Sequence, residues 1–425
     1  MLARGATYDT AMPRVLLILP TSTYRAPDFL AAARVLGAEV VVASEHRQAL
    51  SGSMGDRALV ISLRAPEAAA HAIEELHRRA PLDAVVAVDD VGQRAAAAAC
   101  ARIGLRCNPP QAVSASRDKA ATRRALAAAG VPQPEHRVAA AGDDDVAALA
   151  AEVGLPCVVK PVSLSASQGV IRADDAHAAE AAARRIRAIL ECAGEDAGGP
   201  LLVERYVSGA EVAVEGLLRA GRLEVLAVFD KPDPLEGPYF EETIYVTPSR
   251  LPAEAQQRIE RLTQATADAL GLREGPVHAE LRLDGDRAWV LELAARSIGG
   301  LCSRALRFGT GASLEEVILR HALGLPLPDL HREAAASGVM MLPIERAGVL
   351  AGVGGRDEAR AVSGITDLQI TVPPDREVVP LPEGDRYLGF IFARGDDPAA
   401  VEAALREAHA RLEVDIRAPA AAADR

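Results

Sequence analysis

The stretch His278-Ala279-Glu280-Leu281-Arg282-Leu283-Asp284-Gly285-Asp286-Arg287-Ala288-Trp289-Val290-Leu291-Glu292-Leu293-Ala294-Ala295-Arg296 decides how this chain is read. Apolar residues alternate on both sides of Asp284-Gly285-Asp286, the pattern of a β-hairpin closed by a tight turn. Glu280 and Glu292 lie on opposite arms, and Arg296 follows four residues after the second. If the loop holds an odd number of residues, such as three, both carboxylates face one side of the sheet. Like charges facing each other across strands are destabilising unless a cation joins them. Two carboxylates on a rigid hairpin, with an arginine beyond, suit divalent metal ions that carry a nucleotide's phosphates.

Upstream of the hairpin the pattern is different. Val15–Leu19 is a continuous apolar run, as in a buried parallel strand, and ends in Pro20-Thr21-Ser22. Helical spacing over Phe29–Leu36, strands at Glu39–Ala43 and Ala58–Ser62, a helix at Glu67–Ala80, a strand at Ala84–Val88 and a helix at Gly92–Ile103 follow. Alternating strand and helix predict a doubly wound parallel sheet. Ligands on such sheets sit at the carboxyl ends of the strands, here Thr21–Arg25 and Asp89-Asp90, where a solvated turn is an equal alternative. No Gly-x-Gly-x-x-Gly follows the first strand, which argues against a dinucleotide site.

The character changes after Asn108-Pro109-Pro110. Ser116 is placed to cap a helix from Arg117 to Ala129, closed by Gly130 and Pro132. Helices over 143–153, Ala176–Cys192, Pro252–Leu270 and Leu314–Leu323 are predicted, with strands at Cys157–Lys160, Leu201–Tyr206, Glu211–Leu218 and Leu223–Asp230. A final segment begins near Gly338, with strands near Val339–Pro343, Leu368–Val372, Leu388–Ala393 and Glu413–Ile416 and a helix over Pro398–Leu412. No internal repeat is visible.

At 425 residues the chain is long enough for two to four domains. A net charge of −12 argues against nonspecific affinity for nucleic acid or anionic membranes. The five cysteines (100, 107, 157, 192 and 302) have no metal-ligand spacing and read as small buried hydrophobes in a reducing compartment. Residues 1–12 lack the apolar core of a signal peptide, and Val15–Leu19 is too short to span a bilayer. A cytoplasmic protein is expected.

Several further segments carry chemistry. Lys160 ends an apolar strand and precedes the small-residue loop Ser163-Leu164-Ser165-Ala166-Ser167-Gln168-Gly169. A lysine fixed there holds phosphates as a point charge while loop N–H groups cradle them; a plain strand-end surface lysine fits the local sequence too. Lys119 sits in the first turn of its helix, where a cation opposes the helix dipole, so function or a solvated face explains it. The strand Leu201–Tyr206 runs through Val207-Ser208-Gly209 to Glu211, a hinge whose backbone suits an adenine edge and whose Glu211 suits ribose hydroxyls. An ordinary strand–turn–strand is the alternative. After the hairpin, Ser297-Ile298-Gly299-Gly300 permits close backbone approach to a substrate carboxylate, with Arg304 as counter-charge or as a surface arginine. Asp230-Lys231-Pro232-Asp233 and Glu241-Glu242-Thr243 are polar turns that fit a pocket wall or solvent.

In this order, Lys119, the Lys160 strand and loop, the Glu204–Glu211 hinge and the Glu280/Glu292/Arg296 hairpin resemble the ATP-grasp enzymes. The resemblance spans roughly residues 14–330 and is closest to carboxylate–amine ligases of the bacterial L-amino acid ligase type. It implies an α/β chain: an ATP-grasp fold with an N-terminal doubly wound parallel-sheet (pre-ATP-grasp) domain over 13–111. A nucleotide-binding and catalytic region would cover 112–330, and a small C-terminal α+β domain 331–418. Lys119 and Lys160 would hold the α- and β-phosphates of ATP under a flap, Ser163–Gly169, that brings Ser165, Ser167 and Gly169 to the nucleotide. Glu204 and Val207 would meet adenine, Arg205 would flank it, and Glu211 would bind ribose. Glu280 and Glu292 would be ligands to Mg2+, with Mn2+ able to substitute. His278, on the same strand face as Glu280, would touch the transferred phosphoryl group, and Arg296 would stabilise its charge.

The chain departs from that pattern once. The family commonly reads Glu-x-Asn-x-Arg, whereas this segment is Glu292-Leu293-Ala294-Ala295-Arg296, and Ala294 has no coordinating atom. The implied activity is ATP-dependent amide or peptide bond formation between a small carboxylate and an amine through an acyl phosphate, releasing ADP and phosphate. The alternatives are a ligase of the biotin-carboxylase or purine-pathway type, a nucleotide-binding regulator without turnover, and direct phosphorylation of a small molecule. Partners would be small-molecule carboxylate and amine substrates, with no nucleic acid or membrane; a homodimer is a family-level expectation.

Overall fold

Fully buried Val15, Leu16, Leu17 and Ile18 make the first strand an interior one, apolar on both faces. The computed structural model describes residues 12–21, 23–47, 54–142 and 145–418. In it Arg14–Ile18, Glu39–Ser44, Ala58–Val60 and Ala84–Ala87 pair in parallel, with the third strand beside the second, then the first, then the fourth. The order reverses at the first strand, so the switch point where doubly wound sheets bind ligands lies between the ends of the first and fourth strands. Two segments leave from there, Leu19 to Arg25 and Val88 to Asp90. Ser22, which the sequence reading placed in the first of them, lies outside the described residues.

Two helices, Pro110–Arg117 and Lys119–Ala128, replace the single helix predicted from Arg117. The cap is Asp118, whose side chain accepts from the Ala121 N–H; the Ser116 hydroxyl instead turns back to the Val113 carbonyl. Serine and aspartate are both good caps, and only the break between the helices decides between them. The helix predicted over 143–153 is Val146–Val153, capped by Asp145, with 143 and 144 outside the described residues.

A small antiparallel sheet follows, ordered His136–Ala139, Leu201–Arg205, Cys157–Pro161, Ile171–Ala173. Alternation along its strands sends Val159 and Val203 into a core shared with the helices Val146–Val153 and Ala176–Cys192. Lys160 and Glu204 therefore point to the other face.

The largest element is an eight-stranded antiparallel sheet. Its order is Arg287–Ala294, Gly275–Asp284, Ala210–Arg219, Arg222–Asp230, Ile244–Thr247, Ala336–Leu342, Gly389–Gly395, Ile365–Ile370. It runs unbroken from the hairpin into the C-terminal segment through the central strand Ile244–Thr247, which sequence patterning had not separated from the polar turn before it. Val212, Val214, Val277, Ala279 and Leu281 pack on the side of the helix Ala253–Leu270. Ala213, Leu217, Phe229 and Phe390 pack on the opposite side, in one core with Val15, Leu17 and Phe29 of the parallel sheet and its first helix. Among the described residues no helix is long and apolar enough to cross a membrane.

Candidate active site

The hairpin closes differently from the expectation. Asp284 pairs with Arg287, so the loop is the two-residue Gly285-Asp286, with Gly285 at a φ of +57°. That loop alone would set Leu291 opposite Glu280 and turn Glu292 to the far face. A β-bulge corrects it: the register steps between Leu281↔Val290 and Glu280↔Glu292, leaving Leu291 as the extra residue. Glu280 and Glu292 thus stand directly opposite each other, on the face away from the helix Ala253–Leu270.

Arg123 holds that bulge in place. Its two terminal nitrogens donate to the carbonyls of Val290 (3.1 Å) and Leu291 (2.7 Å), while its Nε donates to Glu204. The guanidinium is 1% exposed. Sequence reasoning missed it, because Arg123-Arg124 in an alanine-rich helix reads as a solvated pair.

Lys160 lies 2.6 Å from the second oxygen of Glu204, so that carboxylate is clasped by two cations. Burial alone would raise the Glu204 pKa, but Arg123 and Lys160 together hold it at about 2. Burial lowers the Lys160 pKa despite Glu204, with Arg123 and Lys119 pushing the same way. Lys119 Nζ reaches both the Leu164 carbonyl in the flap and, at 3.6 Å, Glu292.

A second cluster surrounds Lys231. Its Nζ contacts Glu211 at 2.7 Å, Glu242, and Glu280 at 3.7 Å. Oxygens of these three carboxylates lie within 4.8 Å of one another. Burial would lower the Lys231 pKa, but the three carboxylates raise it. Glu211 gives its other oxygen to Arg282 Nε (2.8 Å), and Arg282 also donates to the Val207 carbonyl. The residues assigned to adenine and ribose are therefore already woven into charge networks, Glu204 and Glu211 through their side chains and Val207 through its carbonyl. Arg205 is exposed at its strand end.

Glu280 and Glu292 contrast with these. Their side chains are 27% and 34% exposed, and among the described residues neither accepts a hydrogen bond. Burial, Glu211 and Glu292 raise the Glu280 pKa against the pull of Lys231. Glu292 moves down because Lys119 and Lys160 outweigh its burial. Open carboxylate oxygens of this kind, on one face and backed by cations, fit a divalent ion.

The switch point of the parallel sheet arrives at the same place. Asp90 pairs with Arg296 (2.9 Å) and Arg117 (3.3 Å), and these cations lower its pKa against burial. Asp90 in turn raises the pKa of half-buried Arg296 against the effect of its desolvation. Arg25, 2% exposed, donates to the Ser297 hydroxyl (2.7 Å) and to the Val88 carbonyl (2.6 Å). In the loop that follows, Gly300 has a φ of +62°, and a Cβ there would come within 2.8 Å of the Phe390 ring, so no larger residue fits. Arg304 is turned to Asp28 (3.0 Å) and Gln369 (2.7 Å).

The flap is docked on the C-terminal segment. Gly169 N–H donates to the Pro382 carbonyl and Gln168 Nε2 to the Glu383 carbonyl (2.8 Å), with Ala166 and Ser167 both at positive φ. Ser165 is exposed and Ser167 half-buried. His278 lies on the strand face of Glu280 as expected, between Glu280 and a fully buried acid, Glu215. Glu215 was overlooked, although a lone charge inside the apolar run of Val212 to Leu218 was a signal.

Comparison with known proteins gives three matches along the chain. Residues 30–106 match the ATP-grasp N-terminal domain, residues 153–305 the ATP-grasp domain, and residues 340–417 the L-amino acid ligase C-terminal domain 2. An uncharacterized protein of Sinorhizobium fredii is 27% identical over 321 residues, covering 73% of this chain and 63% of that protein. The alanine–anticapsin ligase of Bacillus subtilis is 30% identical over 235 residues, covering 51% of this chain and 49% of that protein. The chain thus spans between about half and two thirds of the length of these relatives. The crystal structure of L-amino acid ligase from Bacillus licheniformis superposes with a TM-score of 0.79 at 24% identity, covering 96% of this chain and all of that one, which shows a shared fold.

Proposed function

Because this chain belongs to the ATP-grasp superfamily, we propose that it is an ATP-dependent carboxylate–amine ligase acting on amino acids or similar small acids and amines. The observation that carries this reading is the pair of open carboxylates, Glu280 and Glu292, facing each other across the bulged hairpin beside Lys119 and Lys160. The C-terminal match to an L-amino acid ligase domain and the similarity to an alanine–anticapsin ligase support the substrate class.

ATP and a small carboxylate are the first substrates. A carboxylate oxygen forms a bond to the γ-phosphorus as the bond to the bridging oxygen of ADP breaks, giving an acyl phosphate and ADP. The amine then attacks the acyl carbon, phosphate leaves, and the amine loses a proton. Mg2+ or Mn2+ held by Glu280 and Glu292 would neutralise charge on the phosphates. Lys119 and Lys160 act as point charges toward the same oxygens, Lys160 sharing its proton-bearing nitrogen with Glu204. Asp90 orients Arg296 toward the transferring group, and Arg25 fixes Ser297 so that the Ser297–Gly300 backbone meets the substrate. Positioning and preorganised charge supply the rate enhancement, and the docked flap keeps water from the anhydride. No side-chain nucleophile is required.

The test is ADP release with pooled amino acids offered as acid and amine, joined to a mass-spectrometric search for amides. Amide formed in step with ADP is expected. A phosphorylated acid without any dependence on amine, or ATP binding without stimulated release, would replace the ligase by a kinase or a regulator.

A further inference from the structure

We propose that His278 is a direct metal ligand, its Nε2 coordinating the same ion as Glu280, with Glu215 fixing the ring from behind. The proposal rests on the reading above that Glu280 and Glu292 hold a divalent metal. The ring stands on the strand face that carries both carboxylates, and its cross-strand partner there is Ala294, a methyl with no donor atom.

The hydrogen bonds decide which nitrogen faces the site. Nδ1 lies 3.2 Å from Glu215 Oε2, and that oxygen also accepts from the Ile298 N–H at 2.9 Å. Glu215 Oε2 acts as an acceptor, so Nδ1 is the donor, and in the neutral ring, the form that binds a metal, the lone pair is on Nε2. Nε2 then points at Glu280 Oε1, 3.6 Å away, too far for a hydrogen bond. A lone pair aimed at a carboxylate oxygen is repulsive by itself; a shared proton or a shared cation removes the repulsion. A separation of 3.6 Å is too long for the proton-mediated bond but leaves room for an ion between the two atoms. A buried carboxylate behind a histidine is the usual second shell of a ligating imidazole: it fixes the tautomer and increases the ring's basicity. Glu215, fully buried in the adjacent strand, is in that position.

Nitrogen is a softer donor than oxygen, so this set of donors should prefer Mn2+ over Mg2+ more strongly than carboxylates alone do. The experiment uses the full-length chain with Mn2+ and ADP, read by pulsed electron paramagnetic resonance. A directly coordinated 14N is expected, replaced by 15N coupling when the protein is grown on 15N-histidine, which excludes the adenine ring as its source. His278→Gln should abolish the nitrogen coupling. Glu215→Gln should keep it but weaken Mn2+ binding by roughly 10-fold or more. Mn2+ bound tightly in the wild type without a histidine nitrogen overturns this proposal and leaves the metal reading intact. No Mn2+ binding, or binding unaffected by Glu292→Gln, removes the metal reading itself.

Discussion

Two groups of carboxylates lie within one cleft and are treated in opposite ways. Glu204 and Glu211 are buried, and each oxygen of both meets a cation: Arg123 and Lys160 for the first, Lys231 and Arg282 for the second. Glu280 and Glu292 are half-buried, and their nearest lysines stand at 3.7 and 3.6 Å. A buried acid without donors is costly, so the satisfied pair belongs to the fold's own wiring, while the open pair is kept for something that arrives from solvent. Sign separates the clusters too. Arg123, Lys160 and Glu204 sum to +1, whereas Lys231, Arg282, Glu211, Glu242 and Glu280 sum to −1. One wall suits phosphates and the other a cation, the complement of a metal–nucleotide pair.

The strongest way to break this contrast is to neutralise one member of each class. Glu292→Gln should lower ADP formation by on the order of 10³-fold, while urea denaturation shifts by no more than about 1 kcal/mol, since no hydrogen bond is lost. Glu204→Gln should instead show mainly in stability, a loss of about 3–5 kcal/mol, because two buried cations lose their partner. Equal stability losses in the two variants would erase the distinction. The acid limb of the stability curve sharpens it. Glu204 sits at about 2 when folded against an ordinary value of 4.5, so its contribution is complete above about 4.5 and disappears as the pH falls toward 2. The wild-type advantage over Glu204→Gln should shrink across that interval. Arg123→Lys comes next: it keeps the charge, but a single ammonium cannot serve Glu204 and two bulge carbonyls at once. Turnover should fall roughly 10- to 100-fold through misplaced Glu292, with a stability loss nearer 1–2 kcal/mol. Unchanged kcat with normal folding would show that the bulge holds without Arg123.

How far the sequence could be read follows the same division. The parallel sheet was legible because Val15–Ile18 and Ala84–Ala87 are apolar runs between helix-spaced segments, local facts that a pattern contains. The hairpin, too, was legible, and so was the shared side of its two acids. The mechanism of that sharing was not: a three-residue loop was one way to satisfy parity, and the molecule uses a two-residue turn plus a bulge. The bulge depends on Arg123, 167 and 168 positions away from the carbonyls it holds, a separation invisible to periodicity. Lys119, Lys160, Glu292, His278 and Arg296 were singled out individually, and the structure brings them together. What escaped included the silent partners, Glu215 and Arg123, the short strands His136–Ala139, Ile171–Ala173 and Ile244–Thr247, and the strand Gly348–Gly354, whose three glycines mask its alternation.

The flap tests the contrast at its weak end. It docks on the C-terminal segment through the Gly169 N–H to the Pro382 carbonyl and half-buried Gln168 to the Glu383 carbonyl at 2.8 Å; beside it, Arg185 of the helix Ala176–Cys192 reaches the Glu383 carboxylate at 2.5 and 2.9 Å. Arg185 is 43% exposed, so that ion pair contributes little despite its two-point geometry. Gln168→Ala removes one neutral hydrogen bond, a net of about 1 kcal/mol, or roughly fivefold in the balance between docked and free flap. KM for ATP should rise by about that factor while the Mn2+ affinity of Glu280 and Glu292 stays put, and amide exchange at 163–169 should quicken. Were metal affinity to fall along with KM, the flap and the open carboxylates would be one cooperative unit, and the line between satisfied and open groups would have to be redrawn to include residues 163–169.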